Sequence, residues 1–139
     1  MKSLSVKNPY ATLIMKGLKT IEVRSRKTDY RGKLLICVSK NLVYVHQVYW
    51  PNDEFPKFEN VHDFYENAGM AIATVEIVDV TPFLPKHESA AFVKYNPHVQ
   101  LHAWHLANVT EIVPFEVTGM LGFFETNDNL IIEFPFNHR

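Results

Sequence analysis

The most restrictive feature of this sequence is the apolar run Leu-Leu-Ile-Cys-Val at residues 34–38. Successive side chains of a β-strand point to opposite faces, so a strand that is apolar at every position has both faces buried. The run therefore predicts the central strand of a sheet. It also places Cys37 among apolar neighbours, where we expect a buried and inert thiol.

Composition is typical of a globular protein of the cytoplasm. Hydrophobic residues make up 47% of the 139 residues, enough for the core of a single domain. No apolar run approaches the roughly 20 residues of a membrane-spanning helix, so we expect no membrane partner. The chain has one cysteine, which excludes an intrachain disulfide framework.

Strands are also predicted outside the apolar run. The clearest is 69–80, in which Ile72, Thr74 and Glu76 share one face. The remaining strands are predicted at 4–6, 19–25, 102–109, 110–117, 123–126 and 130–134, and short helices at 9–16, 61–66 and 89–95. Strands outnumber helices and are joined mostly without crossover helices. This favours an α+β fold, a small and mostly antiparallel β-barrel with short flanking helices, over a doubly wound sheet. Residues 1–139 form a single domain in this interpretation, with 41–68 as a variable insertion over the surface.

The segment GLKTIEVR at 17–24 carries a polar group of residues that a surface strand does not require. Gly17 ends the preceding helix, and Glu22 and Arg24 then share one face of a strand, roughly 6.5 Å apart. Lys19 enters from the turn. The three charges could hold a phosphate or a nucleobase edge, could transfer protons through Lys19 or Glu22, or could be an ordinary solvated ion pair. Coulomb attraction should keep Lys19 protonated and Glu22 ionised, which favours binding over nucleophilic use of the lysine.

Charge is unevenly distributed along the chain. The first 40 residues hold ten Lys and Arg but two acidic residues, a net charge of +8, whereas residues 41–139 carry −9. Such asymmetry indicates that one side of the folded protein faces a polyanion and that the opposite side is acidic. The alternative is that the basic and acidic residues mix in space and their charges cancel.

Two further groups of residues are candidates for chemistry. Ser39 and Lys40 follow the central strand and form either a Ser-Lys dyad or an ordinary polar strand end. Because adjacent residues of a strand point to opposite faces, the polar strand end is favoured. The cluster His102-Ala103-Trp104-His105 lacks the three or four ligands of a zinc site, so we expect no metal. Trp104 is either a stacking platform for a base or a core aromatic.

Several blocks of the sequence resemble the ASCH domain superfamily, which is related to PUA domains. The hallmark G-x-K-x-x-E-x-R stands complete as Gly17, Lys19, Glu22 and Arg24. The opening LSVKNPYA at 4–11 and the later blocks TDYRG at 28–32, WHL at 104–106 and GMLG at 119–122 continue the resemblance in order. It covers roughly 1–40 and 69–125.

The resemblance implies a β-barrel with a charged cleft that binds RNA or another nucleic acid, and it implies no cofactor. The residues that would line this cleft are Lys19, Glu22, Arg24, Ser5, Lys7, Ser39, Lys40 and Trp104.

One branch of the superfamily hydrolyses N4-acylated cytidines with a threonine nucleophile, a lysine and a glutamate. Lys19 matches the lysine, but Glu22 stands at the position of the threonine, and Thr20 precedes that position by two residues. Other members are reported to cleave RNA. The resemblance therefore leaves open a hydrolase acting on a modified nucleoside such as N4-acetylcytidine, or a ribonuclease, with Lys19 and Glu22 as proton-transfer groups.

A third hypothesis is a protein-interaction module. It would use the acidic part of the chain and the aromatic residues Tyr44, Tyr49 and Trp50. The sequence does not indicate an oligomeric state.

Overall fold

The computed structural model describes residues 1–51 and 61–134, which form six strands and two short α-helices. The strands are β1 (Lys2–Asn8), β2 (Ile21–Arg24), β3 (Gly32–Leu42), β4 (Met70–Pro82), β5 (His102–Glu116) and β6 (Phe123–Glu125). The helices are α1 (Tyr10–Met15) and α2 (Glu88–Ala91), with 3₁₀ turns at Val45–Gln47, Val61–Phe64, Pro85–His87 and Asp128–Leu130. None of the helices in these two ranges is long and apolar enough to cross a membrane. The α+β class predicted from the sequence is confirmed.

All six strands belong to one mixed sheet in the order β2-β5-β4-β3-β1-β6. The β1–β3 pair is parallel, and the other four pairs are antiparallel. β3 lies between β4 and β1, and its residues 34–38 are at most 2% exposed. The central strand is therefore where the apolar run predicted it. Burial raises the pKa of the Cys37 thiol to about 12, so this thiol is inert at neutral pH.

The sheet is open, whereas the sequence predicted a barrel. Among the described residues β2 and β6 are the two edge strands, and they do not pair with each other. Side chains connect the regions near the two edges instead. Arg24 Nη2 donates a 2.9 Å hydrogen bond to the Ser5 carbonyl oxygen, and the rings of Trp104 and Phe123 lie 5.6 Å apart. Edge strands of four and three residues offer few backbone groups for a closing ladder.

β5 is one strand of fifteen residues where the sequence suggested two. Its register against β4 shifts at three places, and Asn108 has a left-handed φ of 54°. Bulges of this kind let a long strand bend and continue. At the C-terminal end, the predicted strand 130–134 is reduced to a single bridge between Ile112 and Glu133.

The described ends of the predicted insertion contribute to the core. Val48 and Phe64 are buried in a small cluster with Leu13 and Phe92. Residues 52–60 lie outside the described residues. The cluster packs beneath α1, whose other buried apolar residues, Ala11 and Ile14, belong to the main core. Helix α1 is thereby fixed beside β1, and its C-terminal end directs the chain into β2.

Candidate functional site

A cleft of about 680 Å³ opens between α1, β1, β2 and β3, with residues 117–122, here called the rim segment, along one border. Sites that bind small molecules have volumes of roughly 300–1,000 Å³. The charged residues in its lining are Lys7, Lys19, Glu22, Arg24 and Lys40. Four cations and one carboxylate leave a net positive charge, which suits an anionic ligand.

The turn after α1 places Lys19 in this cleft. Gly17 adopts a left-handed φ of 77°, a conformation that glycine reaches without a steric penalty at the end of a helix. The amides of Leu18 and Lys19 then both donate to the carbonyl oxygen of Leu13, at 3.0 and 3.1 Å. The chain thus folds back beneath the helix end before β2 begins at Ile21.

The Lys19 side chain is almost completely enclosed, at 1% exposure. Its Nζ donates a hydrogen bond to the Ala91 carbonyl oxygen and lies 4.8 Å from the centre of the Tyr10 ring. Glu22 Oε1 is 3.8 Å away. Burial lowers the pKa of Lys19 to about 8, because the attraction of Glu22 only partly offsets desolvation and Arg24 adds repulsion. Burial thus outweighs the Coulomb attraction that the sequence indicated, although a pKa of about 8 still leaves Lys19 mostly protonated at neutral pH.

Glu22 and Arg24 lie together on the cleft side of β2, as the strand periodicity predicted. Arg24 Nε donates to Glu22 Oε2 at 2.9 Å. The Glu22 side chain is 9% exposed and that of Arg24 29%, so this pair is largely enclosed and is not a solvated surface pair. The second anchor of Arg24 is its bond to the Ser5 carbonyl oxygen, and its guanidinium carbon lies 6.0 Å from the centre of the Trp104 ring.

One carboxylate oxygen of Glu22 remains able to accept a hydrogen bond. Oε2 is taken by Arg24, but the 3.8 Å separation of Oε1 from Lys19 Nζ is too long for a hydrogen bond. None of the described residues donates a hydrogen bond to Oε1. The cleft thus presents one carboxylate oxygen between two cations, a group that can accept from an amine or an N–H of a ligand.

A family model for the ASCH domain matches residues 4–116 of the sequence. The chain belongs to the ASCH domain family. No curated protein sequence matches it. Two crystal structures of the ASCH protein from Zymomonas mobilis share its fold at 12% identity. A single-residue mutant superposes with a TM-score of 0.63 over 94% of this chain and 95% of the other. The second structure, of the Zymomonas mobilis protein itself, superposes with a TM-score of 0.62 over 92% of this chain and 88% of the other.

Most of the residues predicted from the ASCH resemblance come together. Lys19, Glu22 and Arg24 of the hallmark line the cleft, while Gly17 shapes the turn before them. The other predicted residues in the lining are Ser5, Lys7, Ser39 and Lys40. The stem of Lys40 lies along Gly69, where an added Cβ would be 3.1 Å from Lys40 Cε. Ser39 Oγ accepts a hydrogen bond from the Asn41 amide.

Trp104 of the ASCH domain is the predicted residue that does not line the cleft. It is 5% exposed, its indole N–H donates to the Arg26 carbonyl oxygen, and it packs against Phe123. Burial leaves no open ring face for a base, so Trp104 supports Arg24 from below. The basic residues that follow β2 are also absent from the lining, namely Arg26, Lys27, Arg31 and Lys33.

Two parts of the lining were missed by sequence reasoning. Tyr10 was considered only as part of the block LSVKNPYA at 4–11, yet it lines the cleft and its ring packs against Lys19. Burial, followed by the charge of Glu22, raises the pKa of its hydroxyl. Within the rim segment, residues 119–122 were considered only as the block GMLG of the resemblance, although their two glycines are typical of a tight turn of the chain.

The histidines and exposed aromatics lie elsewhere in the domain. His105 Nε2 is 2.8 Å from the Thr81 hydroxyl, and its ring is 5.3 Å from that of His87. Within residues 1–51 and 61–134, no three His, Cys, Asp or Glu side chains are placed to hold a metal ion. Of the aromatics considered for protein interaction, Tyr44 is 63% exposed, while Trp50 packs edge-on against the Phe92 ring.

Proposed function

We propose that this ASCH domain binds RNA or a nucleotide by taking a single nucleotide into the cleft. The observation that supports this function is the Glu22 carboxylate held between Lys19 and Arg24, with Oε1 left to accept a hydrogen bond. An exocyclic amine of cytosine, adenine or guanine is a donor of the required kind. The family is associated with RNA binding and with hydrolase activity, which agrees with this choice of ligand.

Phosphate groups in this proposal lie near Arg24, Lys7 and Lys40. Arg24 is fixed by two hydrogen bonds, and a positioned guanidinium suits the oxygens of a phosphate. Lys7 and Lys40 are exposed lysines in the lining of the same cleft. Binding would then fall as salt rises, because cations of the protein displace counterions from the nucleic acid.

A titration of fluorescently labelled single-stranded RNA tests this function, with fluorescence anisotropy as the readout. The informative variant is Glu22→Gln, because the amide oxygen would accept from Arg24 and leave an NH₂ group at the position of Oε1. We expect the variant to lose discrimination among the four homopolymers by about tenfold, the value of one good base contact. Glu116→Gln, an exposed acid outside the cleft lining, is the matched control. Equal discrimination by Glu22→Gln and the parent protein would contradict the role of Glu22, and no RNA or nucleotide binding at all would overturn the function.

A second function, hydrolysis of a modified nucleoside, is favoured by the buried Lys19. A lysine whose pKa is lowered to about 8 can exchange a proton near neutral pH, and Glu22 lies 3.8 Å from it. Thr20 is exposed and outside the cleft lining, so it does not supply the nucleophile that the hydrolytic branch uses.

Incubation with N4-acetylcytidine separates the two functions. Release of cytidine and acetate that is lost in Glu22→Gln supports the enzyme, and salt-sensitive RNA binding without turnover supports the binding module. Absence of both signals would leave the protein-interaction hypothesis, in which Tyr44 is the most exposed of the three aromatics.

A further inference from the structure

Two large apolar side chains are exposed at the border of the cleft that holds the charged residues Lys19, Glu22 and Arg24. Met120 is 62% exposed and Leu121 is completely exposed, and both belong to the lining. Side chains of this kind lose the favourable free energy of burial as long as nothing covers them. They share the lining of one cleft with Lys19, Glu22 and Arg24, so the cleft offers both exposed apolar side chains and charged groups.

The rim segment that carries them is fixed at both ends and close to β1. The Val117 amide donates to the Gly69 carbonyl oxygen at 3.0 Å, and Phe123 pairs with Leu4 at the start of β6. In between, Gly119 lies so near Ser5 that a Cβ atom would be 2.6 Å from the serine hydroxyl oxygen. The segment therefore crosses β1 at close range, which keeps Met120 and Leu121 at the cleft.

A ligand that contacts both the apolar side chains of the rim segment and the charged residues of the cleft must have a polar edge and an apolar face. A free phosphate or a sugar phosphate gains nothing from Met120 and Leu121, whereas a nucleobase is planar, with hydrogen-bonding groups on its edge and an apolar π-face. We propose that Met120 and Leu121 pack on the face of the bound base while Glu22 accepts from its edge. This inference rests on the proposed function and adds that the base, in addition to the phosphate, is a main determinant of affinity.

A comparison of cytidine 5′-monophosphate with ribose 5-phosphate tests this inference by isothermal titration calorimetry. The double variant Met120→Ser/Leu121→Ser is expected to bind the nucleotide about tenfold more weakly and ribose 5-phosphate as the parent does. Leu130→Ser is the matched control, because Leu130 is 50% exposed and outside the lining. Since both rim side chains are mainly exposed, the variant should keep the melting temperature of the parent.

An NMR measurement reports the contact directly. The chain has four methionines, and ¹³C-methyl labelling gives one signal for each. Cytidine 5′-monophosphate should shift the Met120 methyl signal upfield through the ring current of the base, leaving Met15 and Met70 as internal references. Ribose 5-phosphate should cause no such shift. If the parent binds the nucleotide but neither the affinity of the double variant nor the Met120 signal changes, the inference is wrong and the proposed function stands. If the parent binds neither the nucleotide nor RNA, both fail.

Discussion

Gly119 and Ser5 approach each other so closely that a side chain on residue 119 would collide with the Ser5 hydroxyl. A Cβ atom there would be 2.6 Å from the Ser5 hydroxyl oxygen, a distance that real contacts of this kind do not show. Both residues line the cleft, and the Ser5 carbonyl oxygen holds Arg24. The path of the rim segment and the position of Arg24 are therefore linked through one residue of β1.

The substitution Gly119→Ala should weaken nucleotide binding, because the Ser5 hydroxyl must rotate away or the rim segment or β1 must move. We expect a loss of about tenfold in affinity, measured by calorimetry with cytidine 5′-monophosphate. The double variant Ser5→Ala/Gly119→Ala removes the hydroxyl that causes the clash and should recover most of the loss. If the two substitutions are simply additive, the contact does not control the cleft.

The lowered pKa of Lys19 predicts that the free energy of unfolding rises with pH above neutrality. Burial lowers the pKa of this lysine in the folded protein to about 8, from an ordinary value of 10.5. Between these two values the unfolded chain binds more protons, so the free energy of unfolding increases as pH rises through this window. From pH 7.5 to 9.5 the gain should be about 2 kcal/mol relative to Lys19→Met, which lacks the titration. Urea denaturation of both proteins at the two pH values measures it, and parallel pH profiles would contradict the lowered pKa.

His87 predicts a loss of stability at acidic pH. The residue is 8% exposed, and its Nδ1 accepts a 3.0 Å hydrogen bond from the Leu84 amide. Burial, together with His105 and Lys86, lowers the pKa of His87, so the unfolded state takes up the proton first and stability falls as pH drops below the ordinary histidine value. The variant His87→Asn keeps an acceptor for the Leu84 amide but cannot titrate.

Thermal unfolding at pH 7 and pH 5 checks this prediction. The parent should lose more melting temperature than His87→Asn does over that interval. His98→Asn, which changes an exposed histidine, should behave as the parent. If the melting temperatures of the parent and of His87→Asn fall equally between pH 7 and pH 5, protonation of His87 does not cause the loss of stability.

Lys7 and Lys40 predict the salt dependence of RNA binding. If each contacts one phosphate, Lys7→Ala and Lys40→Ala should each weaken binding to all sequences alike. Each should also reduce the slope of log affinity against log salt by about 0.7, the value for a single-stranded ligand. Lys86→Ala, an exposed lysine outside the cleft lining, is the control. Unchanged slopes would place the phosphates elsewhere on the protein.

Features that depend on neighbouring residues in the sequence were predictable. Five apolar residues in succession identified the central strand, and the two-residue period placed Glu22 and Arg24 on one face. The family hallmark then indicated that this face of the strand lines the cleft. These inferences succeed because strand geometry is local.

Features that depend on how distant segments meet were not predictable. The sequence left Trp104 open as a stacking platform or a core aromatic, and what decides between them is a contact with a distant segment, the ring of Phe123 on β6. Whether β2 and β6 pair also depends on how distant segments meet, and in the described residues they do not pair. The direction of the Lys19 pKa shift also depended on burial, which no local pattern reveals.

The two cations of the hallmark share one mode of attachment. Lys19 donates to the carbonyl oxygen of Ala91 and Arg24 to that of Ser5, so each is held in part by main chain. A carbonyl oxygen is the same whatever side chain its residue carries. Substitutions at 91 that preserve the backbone would therefore leave the lysine in position, and a comparison of side-chain types between related proteins would give no sign that residue 91 belongs to the site.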